Sequence, residues 1–301
     1  MIRTGSLNGV LPVFQTPYLD DGRLDAVTLE REIDWLFEQG SQGIVMAMVS
    51  EILRLDEQER RELAELACRF AKGRGPVIIS VGAESTHIAV KLARHAAGVG
   101  AAALMAIPPV CTASREDDLF HYYEEIVKAT PLPVVVQDAS GYVGRPMTIE
   151  FQARLMELFG PEKVQFKPEA TPIGPRLSLL RDATGGNARI FEGTGGIALV
   201  DSYRRGIVGT MPGADLIRGI APLWNALQQG DDQRAYELSL PISSIVALQH
   251  SLDAFLAIEK YLLVKQGIFR NTLVRGPVGY RLDKETQAEV DRLFQVLEQS
   301  L

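Results

Sequence analysis

An alternation that begins near residue 7 constrains this chain more than any other feature: short apolar runs separated by longer amphipathic stretches. Runs of this length, apolar on both faces, read as strands of a parallel sheet, and the stretches between them as crossover helices. The runs are GVLPVF, GIVMAM, PVIISVG, AALMAI, PVVVQD, VQFK, RIFEG and GIVGTM, starting near Gly9, Gly43, Pro76, Ala102, Pro133, Val164, Arg189 and Gly206. Eight strand and helix units close into a TIM barrel in about 200 to 250 residues, and the eighth run here ends near Met211. The clearest helix spans Asp56 to Lys72, with Asp56 as N-cap, acidic residues in the first turn and a basic one in the last. Its Leu63, Leu66 and Phe70 recur at helical spacing and are expected to face the barrel. Further helical stretches near 215–229, 231–249, 252–267 and 284–299 exceed what an eighth barrel helix requires. The expected fold is therefore an α/β (β/α)8 TIM barrel over 1–224, with a C-terminal helical extension of the same domain over 225–301. A doubly wound open sheet shares the local pattern, but no Gly-x-Gly-x-x-Gly fingerprint follows the first strand, so closure is favoured.

Composition narrows the partners. With 301 residues, 46% hydrophobic and 23% charged, the chain has the make-up of an ordinary globular enzyme. A net charge of -7 without a basic stripe argues against nucleic acid as a ligand. Cys68 and Cys111 are far apart and form neither a disulfide framework nor a zinc motif, which fits a reducing cytoplasm, and Cys111 reads as an inert buried thiol. The N-terminus lacks an uninterrupted apolar core, and no segment offers about 18 consecutive apolar residues. The expectations are a cytoplasmic location, no membrane span, no metal and no organic cofactor.

In such a barrel the chemistry belongs at the C-terminal ends of the strands, where the polar candidates are Gln15, Thr16, Ser50, Glu51, Gln137, Asp138, Lys167, Glu169, Glu192 and Thr194. The four histidines fall in helices or helix starts and read as structural or surface residues. Lys167 stands apart because the apolar run VQF leads straight into it. Desolvation disfavours the ammonium form of a lysine and frees the amine to attack a ketone, the usual origin of Schiff-base lysines. The competing reading is a structural ion pair with Glu169, two residues on and on the same strand face. Ser50 and Glu51 also read as loop and cap residues, and Gln137 and Asp138 as the polar floor of a cavity.

Over nearly its whole length the chain resembles the dihydrodipicolinate synthase and N-acetylneuraminate lyase superfamily. The likeness rests on TPYLDDGRLD (Thr16 to Asp25), SEILRLDEQERREL (Ser50 to Leu63), GAESTHIAVKLARHAAGVGA (Gly82 to Ala101) and FKPEA (Phe166 to Ala170). The resemblance implies a TIM barrel with C-terminal helices, often a homotetramer, and a Schiff-base lysine on the sixth strand, here Lys167. Departures fall on the catalytic positions. The superfamily's Gly-Thr-Thr-Gly-Glu reads Ala47-Met48-Val49-Ser50-Glu51, its Tyr-Asn pair on strand five reads Gln137-Asp138, and its second aromatic after strand four falls on Cys111. The superfamily's tyrosine relay is therefore missing while the lysine remains.

The 2-keto-3-deoxy-pentonate (L-2-keto-3-deoxyarabonate) dehydratases are similar in these unusual places: Ser50-Glu51, Val136 to Ala139 and Lys167-Pro168-Glu169. The resemblance implies a class I lyase acting on a small 2-keto acid, with Lys167 and Glu169 catalytic and Ser50, Glu51, Gln137, Asp138 and Thr194 binding substrate. Three readings stay open: dehydration of a 2-keto-3-deoxy sugar acid to a semialdehyde, a pyruvate-dependent aldolase, and a barrel that binds sugar acids without turnover.

Overall fold

A computed structural model describes residues 7–142 and 144–301; Met1 to Ser6, the start of the stretch read for a leader, lie outside the described residues. Eight short parallel strands alternate with helices: β1 Gly9–Val10, α1 Ala26–Glu38, β2 Ile44–Met46, α2 Glu57–Phe70, β3 Val77–Ser80, α3 Thr86–Gly98, β4 Ala103–Ala106, α4 Glu116–Ala129, β5 Val134–Gln137, α5 Ile149–Phe159, β6 Val164–Lys167, α6 Ile173–Ala183, β7 Phe191–Glu192, α7 Leu199–Arg204, β8 Gly209–Thr210 and α8 Ile217–Gln229. Strands β2 to β6 run side by side, as do β1, β8 and β7; parallel bridges from Val13 to Val45 and from Phe166 to Ile190 join the two sets and close the barrel. Three further helices follow, α9 Asp232–Leu248, α10 Leu252–Lys265 and α11 Lys284–Gln299. The closed parallel barrel and its helical extension are those expected from the alternation. Helix α8 runs across position 224, so the expected boundary between barrel and extension falls inside a helix.

Strand alternation sorts the core into two layers. Leu11, Val13, Val45, Ile78, Ala103, Met105, Val135, Phe191 and Met211 pack inside the barrel, while Val134, Val136, Val164 and Phe166 pack outward under the helices. The register pairs Val135 with Gln165 and Gln137 with Lys167, so period two carries the inward face of β5 and β6 to Gln137 and Lys167 at the strand ends. Helix α2 starts where its cap predicts. The Asp56 carboxylate accepts from Glu59 N at 2.8 Å and Glu59 reciprocates to Asp56 N at 3.1 Å. Leu63 and Leu66 are buried as expected, whereas Phe70 is only partly covered, because it sits at the last turn as the helix leaves the barrel. Among the described residues no helix is long and apolar enough to cross a membrane.

Helix α10 lies over the C-terminal mouth. Its Phe255 and Leu256 join the interior cluster, and Phe255 meets Tyr142, from the loop after β5, edge to face at 6.5 Å. Two adjacent charged residues dock it. Lys260 donates to Thr16 O at 2.9 Å and Leu273 O at 2.7 Å and pairs with Glu51; Glu259 accepts from Ala214 N at 2.7 Å and from the Gln15 amide. Gln15 in turn donates to Val49 O at 2.8 Å, and its backbone N–H donates to Glu32 at 2.7 Å. The loops after β1, β2 and β8 are thus tied to one helix. Asp215, after β8, is fully buried beside Glu259: a Cβ placed on Gly213 would lie 2.9 Å from an oxygen of each carboxylate.

Burial pushes the Asp215 carboxyl up to about 7, and burial followed by repulsion from Asp215 pushes Glu259 well above the carboxylate range. An acid raised in this way adds stability that is complete below its ordinary value of 3.8 and is lost as pH rises through about 7. Asp215→Asn keeps an acceptor for the Gln249 amide, which donates to Asp215 at 3.0 Å, and removes the titration. Between pH 5 and 8.5 the melting temperature of the variant should therefore fall less than that of the wild type. The expected difference is on the order of 5 °C, from roughly 2–3 kcal/mol over the two pH units below 7 and about 2 °C per kcal/mol in a chain of this size; parallel curves by scanning calorimetry would count against the raised Asp215 carboxyl.

Candidate active site

The register that sets Gln137 opposite Lys167 brings three functional groups to one atom. The Lys167 Nζ donates to Glu169 Oε1 at 2.8 Å, and the Gln137 amide donates to the same oxygen at 2.9 Å. All three residues are buried, Lys167 to 3% exposure. The second oxygen of Glu169 and the amide oxygen of Gln137 lie buried with no hydrogen-bond partner. Unpaired buried acceptors are costly, so these two atoms are places where donors from a ligand would be stabilising. Room for the lysine comes from Gly193, just beyond β7: a Cβ there would lie 2.6 Å from Lys167 Cε, 2.9 Å from Cγ and 3.1 Å from Glu169 Oε1.

This arrangement is competent for carbonyl chemistry. A carboxylate within hydrogen-bond reach of an amine can take its proton and release it as a nucleophile, then remain beside the carbon that iminium formation acidifies. The structural ion pair anticipated from the sequence is formed, and it is the resting state such a site requires. Among the described residues no cluster of His, Cys, Asp and Glu has the geometry of a metal site.

The other expected binding residues are engaged within the protein. The Ser50 hydroxyl donates to Phe14 O at 2.6 Å and accepts from Ala47 N at 3.1 Å. Glu51 adopts a left-handed backbone, φ 58°, and its buried carboxylate holds Lys260 and accepts from Arg275 N at 3.2 Å. Burial lowers the Lys260 amine from its ordinary value, with Glu51 acting the other way. Asp138 accepts from Ser140 N at 3.0 Å, the Ser140 hydroxyl and Met147 N at 2.9 Å, which shapes the loop after β5. Thr194 donates its hydroxyl and its N–H, the latter at 2.7 Å, to Glu192, whose other oxygen accepts from Thr210 at 2.7 Å. The structure thus gathers Lys167, Glu169 and Gln137 at one point, while Ser50, Glu51, Asp138 and Thr194 make their side-chain hydrogen bonds to other residues of the chain.

Cys111 is corrected from a buried to an exposed thiol. The loop after β4 turns outward, and the Glu84 carboxylate holds the N–H groups of Val110 and Cys111 at 2.8 and 3.1 Å. Three features had no signal in the sequence: the clearance at Gly193, the Asp215–Glu259 pair, and Tyr142. The Tyr142 phenol is raised above its ordinary value first by burial, then by the charges of Glu169, Glu259, Asp215 and Glu192, which places it among the carboxylates of the mouth.

Comparison with known proteins identifies the family. The model of the dihydrodipicolinate synthetase family matches residues 6–297. An L-2-keto-3-deoxyarabonate dehydratase of Azospirillum brasilense is 28% identical over 292 residues, covering 94% of this chain and 92% of the relative. YjhH of Escherichia coli K12, named for an inferred 2-dehydro-3-deoxy-D-pentonate aldolase activity, is 33% identical over 149 residues, 49% of this chain and 50% of its own. The solved structure of dihydrodipicolinate synthase from Rhodopseudomonas palustris superposes with a TM-score of 0.88 at 26% identity, over 97% of this chain and 98% of that one. With a family match spanning almost every residue and a barrel that superposes from end to end, the chain belongs to the dihydrodipicolinate synthetase family, whose members are Schiff-base lyases.

Proposed function

We propose that this protein is a class I lyase that dehydrates a 2-keto-3-deoxy sugar acid to a 2-keto acid semialdehyde. The observation that carries the reading is the convergence of Lys167 and Gln137 on one oxygen of Glu169, with the second oxygen unengaged. Glutamine stands where the superfamily resemblance places a tyrosine, so a base for the substrate's 4-hydroxyl, which retro-aldol cleavage needs, is absent from β5. Dehydration needs something else: a proton removed from C3 and a hydroxyl lost from C4.

In the proposed cycle Glu169 accepts a proton from Lys167, the free amine adds to the C2 ketone, and Glu169 returns that proton to the departing oxygen, which leaves as water and restores the carboxylate. The iminium acidifies C3, and Glu169 takes a C3 proton to give the enamine. The enamine then expels the C4 hydroxyl, and tautomerisation and hydrolysis return the lysine and release the semialdehyde. The imine is the electron sink. Gln137 offers its unengaged carbonyl oxygen to a substrate hydroxyl. Ser50, Glu51, Asp138 and Thr194 contribute by fixing the loops that shape the pocket, with backbone N–H groups after β2 meeting the carboxylate. The likeness to YjhH favours a second reading, a pentonate aldolase that releases pyruvate.

Borohydride reduction with peptide mass analysis, in parallel with pyruvate and 2-keto-3-deoxy-pentonate, separates the readings when unreduced products are assayed alongside. Covalent mass on Lys167 with semialdehyde released is the expected result. Pyruvate released from the pentonate would make the protein an aldolase, and absence of label with either compound would leave a barrel that binds sugar acids without turnover. Gly193→Ala gives an independent check, since its methyl would occupy the space of Lys167 Cε. Labelling of Lys167 should slow by about 10-fold or more, as misplacement of a reacting group on the order of 1 Å can cost 10²-fold; labelling at the wild-type rate would contradict the packing.

A further inference from the structure

The proposed cycle leaves one transfer unassigned: the departing C4 hydroxyl must leave as water, and the group that hands it the proton Glu169 takes from C3 has not been named. We propose that the hydroxyl of Tyr142 donates that proton. The inference rests on the dehydratase reading above.

Tyr142 is held at the mouth by its loop. Asp138 pins the loop at Ser140 and Met147, Ala139 takes a left-handed backbone of φ 57°, and Tyr142 N donates to Ala139 O at 3.0 Å to close the turn. The turn abuts β6, since a Cβ on Gly141 would lie 3.3 Å from Glu169 O. The ring packs against Phe255 of α10 and against two apolar clusters, the barrel interior and Met48, Ile107 and Ala139. Of the four carboxyl groups that act on its phenol, Glu169, just after β6, acts most strongly, ahead of Glu259, Asp215 and Glu192. Burial first, and then the charge of Glu169, keep the phenol in its protonated form, so it enters the step as an O–H donor.

The neighbouring hydroxyls are committed. Ser50 donates to Phe14 O, Thr16 to Ser50 O, Ser140 to Asp138, and Thr194 and Thr210 to Glu192. Among the described residues no hydrogen bond claims the Tyr142 hydroxyl. In the step itself, the enamine electron pair forms the C3–C4 double bond as the C4–O bond breaks, and the proton of the Tyr142 O–H bond completes the leaving water. The phenolate regains its proton from the Glu169 carboxylic acid, so the substrate has lost one water and both residues return to their starting states.

Tyr142→Phe keeps the ring and removes the proton. Three quantities are read in wild type and variant: borohydride labelling of Lys167, exchange of the C3 hydrogens of pyruvate with solvent deuterium, and semialdehyde formation from 2-keto-3-deoxy-pentonate. Pyruvate has no leaving group, so its labelling and exchange report the lysine and Glu169 alone. The expected result is labelling and exchange at wild-type rates with semialdehyde formation slowed roughly 10²- to 10⁴-fold, the usual contribution of a general acid. Semialdehyde formation at the wild-type rate, or a parallel loss of exchange, overturns the assignment while leaving the dehydratase intact. Release of pyruvate from the pentonate by the wild-type enzyme overturns both.

Discussion

A buried amine and a buried carboxylate 2.8 Å apart set the conditions for everything else in this molecule. Taking both charges out of water costs several kcal/mol per ion, and their attraction offsets this only where the geometry is fixed and the remaining polar atoms find partners. The barrel fixes the geometry: the register between β5 and β6 presents Gln137 to the oxygen that holds the lysine. The partners are incomplete by two atoms, Glu169 Oε2 and Gln137 Oε1. On the proposed reading the substrate's hydroxyls fill that shortfall, whereas a pair built for stability alone would gain by closing it.

The same logic extends to the C-terminal helices. The structure holds three of the loops at the barrel mouth through Glu259 and Lys260 of α10. Glu51 is the other half of that attachment, and its left-handed backbone persists because Lys260 and Arg275 N fix its carboxylate. Helix α10 is therefore part of the site's frame: it sets Phe255 against Tyr142 while its charged pair holds the loops after β1, β2 and β8.

The barrel was legible in the chain because strand and helix periods are local. The VQF run leading into Lys167 pointed to the lysine, and a separation of two residues was enough to anticipate its pairing with Glu169. The roles of the surrounding residues were not legible, because their partners are distant in sequence. Glu51 meets Lys260 across 209 positions and Ser50 meets Phe14 across 36, so nothing near either residue announces that its side chain is taken. Tyr142 sits in a loop without periodicity, and only the turn fixed by Asp138 and the arrival of Phe255 from α10 place it at the mouth. Gly193 is a related case: one glycine in FEGTGG is required by the volume of a lysine on another strand.

The central claim is that Glu169 moves the C3 proton while Lys167 holds the substrate, and Glu169→Gln separates those two roles. Solvent deuterium exchange at C3 of pyruvate, followed by proton NMR alongside borohydride labelling, reads both in one protein. The account predicts that labelling of Lys167 slows, because the amine has lost its proton acceptor, but still reaches completion, while exchange per labelled protein falls by about 10²- to 10⁴-fold. Exchange at the wild-type rate in the glutamine variant would contradict it, because the proton would then be moving through some other group.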